Sequence, residues 1–160
     1  MSTLRDSVEK LRSIADYQFG SGAGKALFSD DVRITYSRKT GKIRCIYEGD
    51  SLIATLRPLD GYLSLTVAGA EKLIRGFSTP RYFIMVTEEA VPFVSRGGSV
   101  FAKYVKDADE EIRPKDEVVV IDSEGRVVAV GRSILSGVEM KKFRSGIAVK
   151  TRRGLEEKVK

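Results

Sequence analysis

The sequence predicts an α+β protein in two parts, a helix followed by an antiparallel four-stranded sheet, and then a small β barrel. Three observations carry this. Leu4, Val8, Leu11 and Ile14 recur at helical spacing. From Val32 the apolar period changes to two, with turn residues closing each run. Beyond Pro80, many short apolar runs with close-set turns and two helical turns describe a closed or nearly closed barrel.

Taken in order, Thr3-Leu4-Arg5-Asp6 reads as a capping box with Asp in place of Glu, which starts a helix over roughly residues 4–18. Gly20-Ser21-Gly22-Ala23-Gly24-Lys25 looks like a phosphate loop, but Phe19 and Ala26 stand where a Walker A loop needs Gly and Ser or Thr. It is read as a connection to a short second helix. Strands near 32–36, 42–47, 52–57 and 62–66 form a meander, joined by Lys39-Thr40-Gly41, Glu48-Gly49-Asp50 and Pro58-Leu59-Asp60-Gly61. Ile43, Cys45 and Tyr47 are expected on its apolar face, with Cys45 a packed core thiol, and Arg33, Lys42 and Arg44 together on the other. Thr66 caps a helix through Val67, Ala70, Leu73 and Ile74 that Gly76 ends.

The second part begins after Ser78-Thr79-Pro80, so the domains are expected at 1–78 and 80–154, with a basic tail at 155–160. Its strands are expected at Tyr82–Val86, Phe101–Val105, Val118–Ile121, Val127–Ser133 and Ile147–Arg152. Pro92 opens a helical turn that Gly97-Gly98 stops, and Gly137–Phe143 forms a short helix with Met140 and Phe143 facing the core. Phe101 and Tyr104 alternate, so at most one can be fully buried with its neighbours, and stacking of Tyr104 on a base is the lesser alternative.

The chain has no histidine and one cysteine, which removes the commonest general base and leaves no set of thiolate ligands. No metal, cofactor or catalytic residue is assigned. Without an apolar run of membrane-spanning length or a signal-peptide core, the expected location is the cytoplasm, with no membrane partner. The net charge of +6 is clustered: residues 107–124 carry −6, residues 126–160 carry +7, and Arg33, Arg38, Lys39, Lys42 and Arg44 form a run without an acid. Separated positive zones suit a polyanion, because neutralising phosphates releases counterions.

The stretch from Val91-Pro92-Phe93 through Arg96-Gly97-Gly98 to Lys103, then Asp116–Ile121 and Val128-Ala129-Val130-Gly131-Arg132-Ser133, resembles the PUA domain. Ile14-Ala15-Asp16-Tyr17-Gln18-Phe19-Gly20, Ser37–Arg44 and Ala54-Thr55-Leu56-Arg57-Pro58-Leu59-Asp60-Gly61 resemble the carboxy-terminal region of archaeal archaeosine tRNA-guanine transglycosylase. The resemblance implies an archaeal source, a PUA-type β pseudo-barrel, and a role in gripping tRNA near its acceptor end. The family's catalytic barrel, with its aspartate nucleophile and zinc site, would precede Met1.

The chain is therefore expected to be a non-catalytic RNA-binding protein, docking tRNA for a modification enzyme such as a separate transglycosylase catalytic subunit. By the resemblance, the short helix and its glycines place Arg96, Gly97, Gly98 and Lys103 at the RNA. Glycine there permits close approach of a bare backbone, although the same pair also serves to stop a helix. Arg132, Lys141, Lys142, Arg144, Lys150, Arg152 and Arg153 add charge, and the Arg33–Arg44 run is a secondary basic face. Arg152 and Arg153 are expected to be dispensable for the core. The alternatives are a ribosomal RNA or ribosome-associated target, a protein-interaction module with minor RNA contact, and an enzyme using Asp16 or Asp60 with a lysine.

Overall fold

A computed structural model describes residues 3–76 and 82–157. The chain divides into two compact units, Met1–Pro80 and Arg81–Lys160. The expected boundary residues Ser78, Thr79 and Pro80 lie outside the described residues.

In the first unit, helix α1 spans Leu4–Phe19. The Thr3 hydroxyl accepts from the Asp6 N–H at 3.1 Å, and the Thr3 N–H donates to the Asp6 carboxylate at 3.3 Å, so the shortened capping box closes. Val8, Leu11, Ala15 and Phe19 form its buried stripe. The glycine-rich segment folds back tightly: the Gly24 N–H donates to Asp16 Oδ1 at 2.7 Å, and a Cβ on Gly24 would stand 2.6 Å from Arg12 Cα. Those glycines let α2, Ala23–Leu27, pack on α1.

The sheet runs β1 Arg33–Tyr36, β2 Ile43–Glu48, β3 Ser51–Leu56, β4 Leu63–Leu65, antiparallel and in chain order. Ile46, Ala54 and Leu65 are cross-strand neighbours and fully or nearly fully buried. Helix α3, Val67–Arg75, is capped by Thr66, whose hydroxyl oxygen accepts from the Gly69 N–H at 3.0 Å.

The expected period of two fails in β2. Thr35 pairs Cys45 but Tyr36 pairs Ile43, so Arg44 is an extra residue and the strand bulges there. Cys45 consequently lies with Thr35, half-buried, while Ile46 takes the core position. Of the three basic side chains expected together, Arg33 stands apart, while Lys42 and Arg44 line one groove. Arg33 lies over the Tyr47 ring at 4.3 Å, Arg44 sits in the bulge, and Lys42 is at the turn.

The second unit contains β5 Phe83–Val86, α4 Val91–Ser95, β6 Val100–Phe101, β7 Val105–Ala108, β8 Glu117–Ile121, β9 Val127–Ser133, α5 Gly137–Lys142 and β10 Ile147–Gly154. The strands form one nearly closed mixed sheet in the order β6-β10-β9-β8-β5-β7, with β5 parallel to β8. Ile84, Val86, Val94, Val100, Ile112, Val118, Val120, Val128, Met140 and Val149 fill its core. Fully burying each such large side chain stabilises by roughly 1.5–3 kcal/mol.

Three expectations change here. Phe101–Val105 is not one strand: Ala102–Tyr104 is a 3-10 turn, because the chain leaves its partner β10 and crosses to pair with β5. Met140 is buried, but Phe143 is 45% exposed, since the backbone turns extended at that residue and leaves α5. The segment 155–157 is not a basic tail. The Leu155 N–H donates to Val128 O and the Glu156 N–H to Ser95 O, both at 2.8 Å, so two carboxylates are fastened beside α4. Lys158, Val159 and Lys160 lie outside the described residues.

Candidate nucleic-acid interface

Strand pairing in the barrel sets Lys150 beside Arg132, and Arg132 beside Glu117. The register then slips, Thr151 facing Gly131 and Arg153 facing Val130, so Arg152 is an inserted residue. Its Nη1 donates to Glu117 Oε1 at 2.8 Å and its Nη2 to Oε2, a two-pronged pair. The Glu117 side chain is 0% exposed and that of Arg152 38%. This overturns the expectation that Arg152 is dispensable for the core. Its fork is occupied by a buried carboxylate, so it holds the strands together and screens Glu117.

At the end of α4, the Gly97 N–H donates to Val94 O at 2.9 Å and the Gly98 N–H to Phe93 O at 3.0 Å, closing the helix. Gly97 has φ +103°, and a Cβ there would stand 2.7 Å from the Glu157 carboxylate; a Cβ on Gly98 would enter the Phe93 ring. The backbone thus requires glycine at 97, while a side chain at 98 would have to displace the exposed Phe93 ring. Arg96 is well exposed, with Nε 3.9 Å from Glu156. Arg153 lies 3.6 Å from Glu157, which also accepts from the Gly154 N–H at 2.7 Å.

Lys141 is held between Glu110 at 3.3 Å and Asp107 at 3.5 Å. The hydrogen bond to Glu110, with the charge of both carboxylates, keeps its ammonium protonated beyond the usual lysine range. Lys103 lies over the Tyr104 ring at 4.9 Å. Lys142, Arg144 and Lys150 are exposed and have no ion pair among the described residues. The structure therefore brings Arg132 to Lys150, and Arg96 and Arg153 to the acidic segment 156–157. Arg33, Arg38, Lys39, Lys42 and Arg44 belong to the other unit.

An aromatic pair went unnoticed in the sequence. Phe93 and Phe101, 55% and 37% exposed, stack with centroids 6.4 Å apart at 23°, beside Gly98. In this five-residue helix the core-facing side is taken by Val94 and Ser95, which leaves Phe93 outward. Phe101, not Tyr104, is the exposed ring, because Tyr104 packs against the core cluster.

Asp16 and Asp60 are engaged structurally. Asp16 accepts from the Gly24 N–H, and Asp60 accepts from Arg57 Nε at 3.1 Å and from the Tyr62 N–H at 2.9 Å. Among the described residues there is no metal-binding cluster of His, Cys, Asp and Glu, and no helix long and apolar enough to cross a membrane.

Residues 9–80 match the family model for the patch-forming domain C2 of tRNA-guanine transglycosylase, and residues 82–155 match the PUA domain. The chain is 47% identical over 154 residues to the tRNA-guanine(15) transglycosylase of Methanothermobacter thermautotrophicus, covering 96% of this chain and 24% of that protein. It is 43% identical to the same enzyme of Methanobrevibacter smithii, covering 96% and 23%. The chain spans about a quarter of the length of the curated relatives it matches. A hypothetical protein of Pyrococcus horikoshii superposes with a TM-score of 0.78 at 24% identity, covering 98% of this chain and 94% of that one. A PUA domain protein of Thermoplasma acidophilum does so with 0.68 at 18%, covering 98% and 93%. At these identities the likeness is one of fold. This chain belongs to the proteins in which a C2 domain of the tRNA-guanine transglycosylase type is followed by a PUA domain.

Proposed function

We propose that the chain is a non-catalytic RNA-binding protein that docks tRNA near its acceptor end for a tRNA-modifying enzyme, with the transglycosylase chemistry supplied by a separate catalytic subunit. One observation carries the reading: 96% of the chain aligns, at 47% identity, with a quarter of an enzyme whose named substrate is guanine 15 of tRNA. The residues agree with it. With no histidine and one cysteine, these 160 residues cannot supply the cysteine-and-histidine zinc site that the resemblance implies for the catalytic part. On the barrel, Arg96, Arg132, Lys142, Arg144 and Lys150 are the phosphate-binding candidates, while Lys141 and Arg152 serve the fold. Docking a tRNA arm at a distance from the target base lowers the entropic cost of placing that base.

The test is a salt-titrated binding measurement comparing tRNA with duplex DNA and an unrelated structured RNA. Tightest binding to tRNA is expected, with a log–log salt slope of roughly −0.7 to −0.9 per phosphate neutralised. Equal affinity for duplex DNA would reduce the protein to a general polyanion binder. Mixed with a catalytic-domain protein from the same cell, the chain is expected to raise guanine exchange in tRNA. Exchange by the chain alone would overturn the non-catalytic reading.

A further inference from the structure

In the first unit, a groove of ≈ 1310 Å³ runs between α1 and the ends of the β1–β2 and β3–β4 hairpins. Lys10, Lys42, Arg44 and Arg57 line it against a single acid, Asp6. Lys10, Lys42 and Arg44 are exposed and have no ion pair among the described residues, so their charge is available to a ligand. Arg57 is fixed by Asp60 through Nε and Nη2, both at 3.1 Å, which leaves its buried Nη1 without a hydrogen-bond acceptor. A buried donor in that state is costly, and an acceptor entering at this wall relieves it.

The groove's lining includes Ile14 and Gly61. Tyr17 stands one helical turn beyond Ile14 on the same face of α1, and Tyr62 follows Gly61. Their rings are parallel within 6°, with centroids 6.3 Å apart, and they are 78% and 37% exposed. At 78% exposure Tyr17 buries too little area for packing alone to account for its place against the Tyr62 ring. They are held in place nonetheless: the Gln18 side chain donates to Leu63 O at 2.9 Å and accepts from the Leu63 N–H at 2.8 Å, tying together the two residues next to the tyrosines. A preorganised aromatic shelf beside a line of free cations is the combination that binds an unpaired base and its flanking phosphates.

We propose that this groove binds single-stranded RNA, its phosphates lying along Lys10, Lys42, Arg44 and Arg57 and one unpaired base stacking on the Tyr17–Tyr62 shelf. The site is distinct from the barrel residues and rests on the reading of the chain as an RNA-binding protein. Charge decides for RNA over an apolar peptide, since three unpaired cations against a single carboxylate attract a polyanion, whereas an apolar segment would desolvate them without an answering charge.

The experiment uses the full chain with a fluorescein-labelled oligouridylate of roughly 10 nucleotides, and tRNA in parallel. Tyr17→Ala and Tyr62→Ala are each expected to weaken the oligouridylate by about fivefold or more, with Tyr17→Phe retaining affinity. Lys10→Ala with Lys42→Ala is expected to flatten the salt slope by about 1.5. Because Tyr17 is largely exposed, the melting temperatures of its two variants stay unchanged, and an oligouridylate carrying 4-thiouridine crosslinks to the Tyr17 or Tyr62 peptide. Unchanged affinity in both tyrosine variants, crosslinks confined to the barrel, or equal competition by polyglutamate would each overturn the proposal. No oligouridylate binding with tRNA binding intact sinks the groove and leaves the docking role standing; the reverse pattern sinks the docking role alone.

Discussion

On the barrel, Arg152 is clamped to Glu117, Lys141 sits between Glu110 and Asp107, and Arg96 and Arg153 lie near Glu156 and Glu157. In the helix-and-sheet unit, Lys10, Lys42 and Arg44 line a groove with no ion pair among the described residues. The formal charge of the two halves is the same, +3 each. What differs is how the unanswered charge is arranged among the described residues. Lys10, Lys42 and Arg44 share one groove while Arg5, Arg12, Arg57 and Lys72 are paired, whereas on the barrel the unpaired Lys142, Arg144 and Lys150 stand among cations that face carboxylates. Nominal charge measures what a region contains, whereas recognition depends on what remains after folding has used its share.

The sharpest way to break this contrast is Arg152→Ala. It deprives the buried Glu117 of its two-pronged partner, and about 2 kcal/mol of stability is expected to be lost. That is below the ~3–5 kcal/mol of a fully buried pair, because the Arg152 side chain is 38% exposed. Arg153→Ala is expected to stay within about 0.5 kcal/mol. Denaturant melts of the two variants decide it; equal stability would return Arg152 to the surface charges.

Next comes Gly97→Ala. With φ +103° and a carboxylate 2.7 Å from the new Cβ, a loss of about 1–2 kcal/mol is expected. Gly61→Ala also has positive φ, but nothing within 4 Å, and is expected to cost about 1 kcal/mol or less. If the two variants melt together, the acidic segment 156–157 does not close over the α4 turn.

A smaller effect separates neighbours on α5. Lys142→Ala is expected to weaken tRNA binding about two- to threefold and to flatten the salt slope by about 0.7–0.9, while Lys141→Ala does less, its ammonium being engaged with Glu110 and Asp107. Equal losses in a filter-binding titration would show that ion pairing does not withhold charge from RNA.

The smallest effect concerns Tyr62, whose hydroxyl is held above the ordinary tyrosine range, first by the charge of Tyr17 and then by desolvation. A raised folded value favours the protonated form. Its contribution is present below the ordinary tyrosine value and is lost as pH rises through the folded value. In Tyr17→Phe an ultraviolet phenolate titration is expected to show Tyr62 ionising at lower pH.

Elements were legible in the sequence where local chemistry decides them. The Thr3 and Thr66 caps, the hairpin turns and the α+β class follow from residues within a turn of one another. Errors fell where a single inserted residue changes a face, as at Arg44 in β2 and Arg152 in β10, because no local pattern announces a bulge. Much of the basic set was visible as charge, but its partners were not. Arg152 and Glu117 are 35 positions apart, and only the β8–β9–β10 register brings them together.

The strand order of the barrel also has a consequence in time. β6 joins the sheet only through β10, and β9 also pairs with β10, so the sheet stays incomplete until residue 154 has been made. The helix-and-sheet unit has all its strands and α3 by residue 75. At ~5–20 residues per second, synthesis of the next ~80 residues takes on the order of 4–16 s. A ribosome therefore exposes a finished first unit, with its groove, while Val100 and the other residues of the unclosed barrel still lack their neighbours. Any factor that shields nascent apolar strands acts on the barrel, after the helix-and-sheet unit is complete.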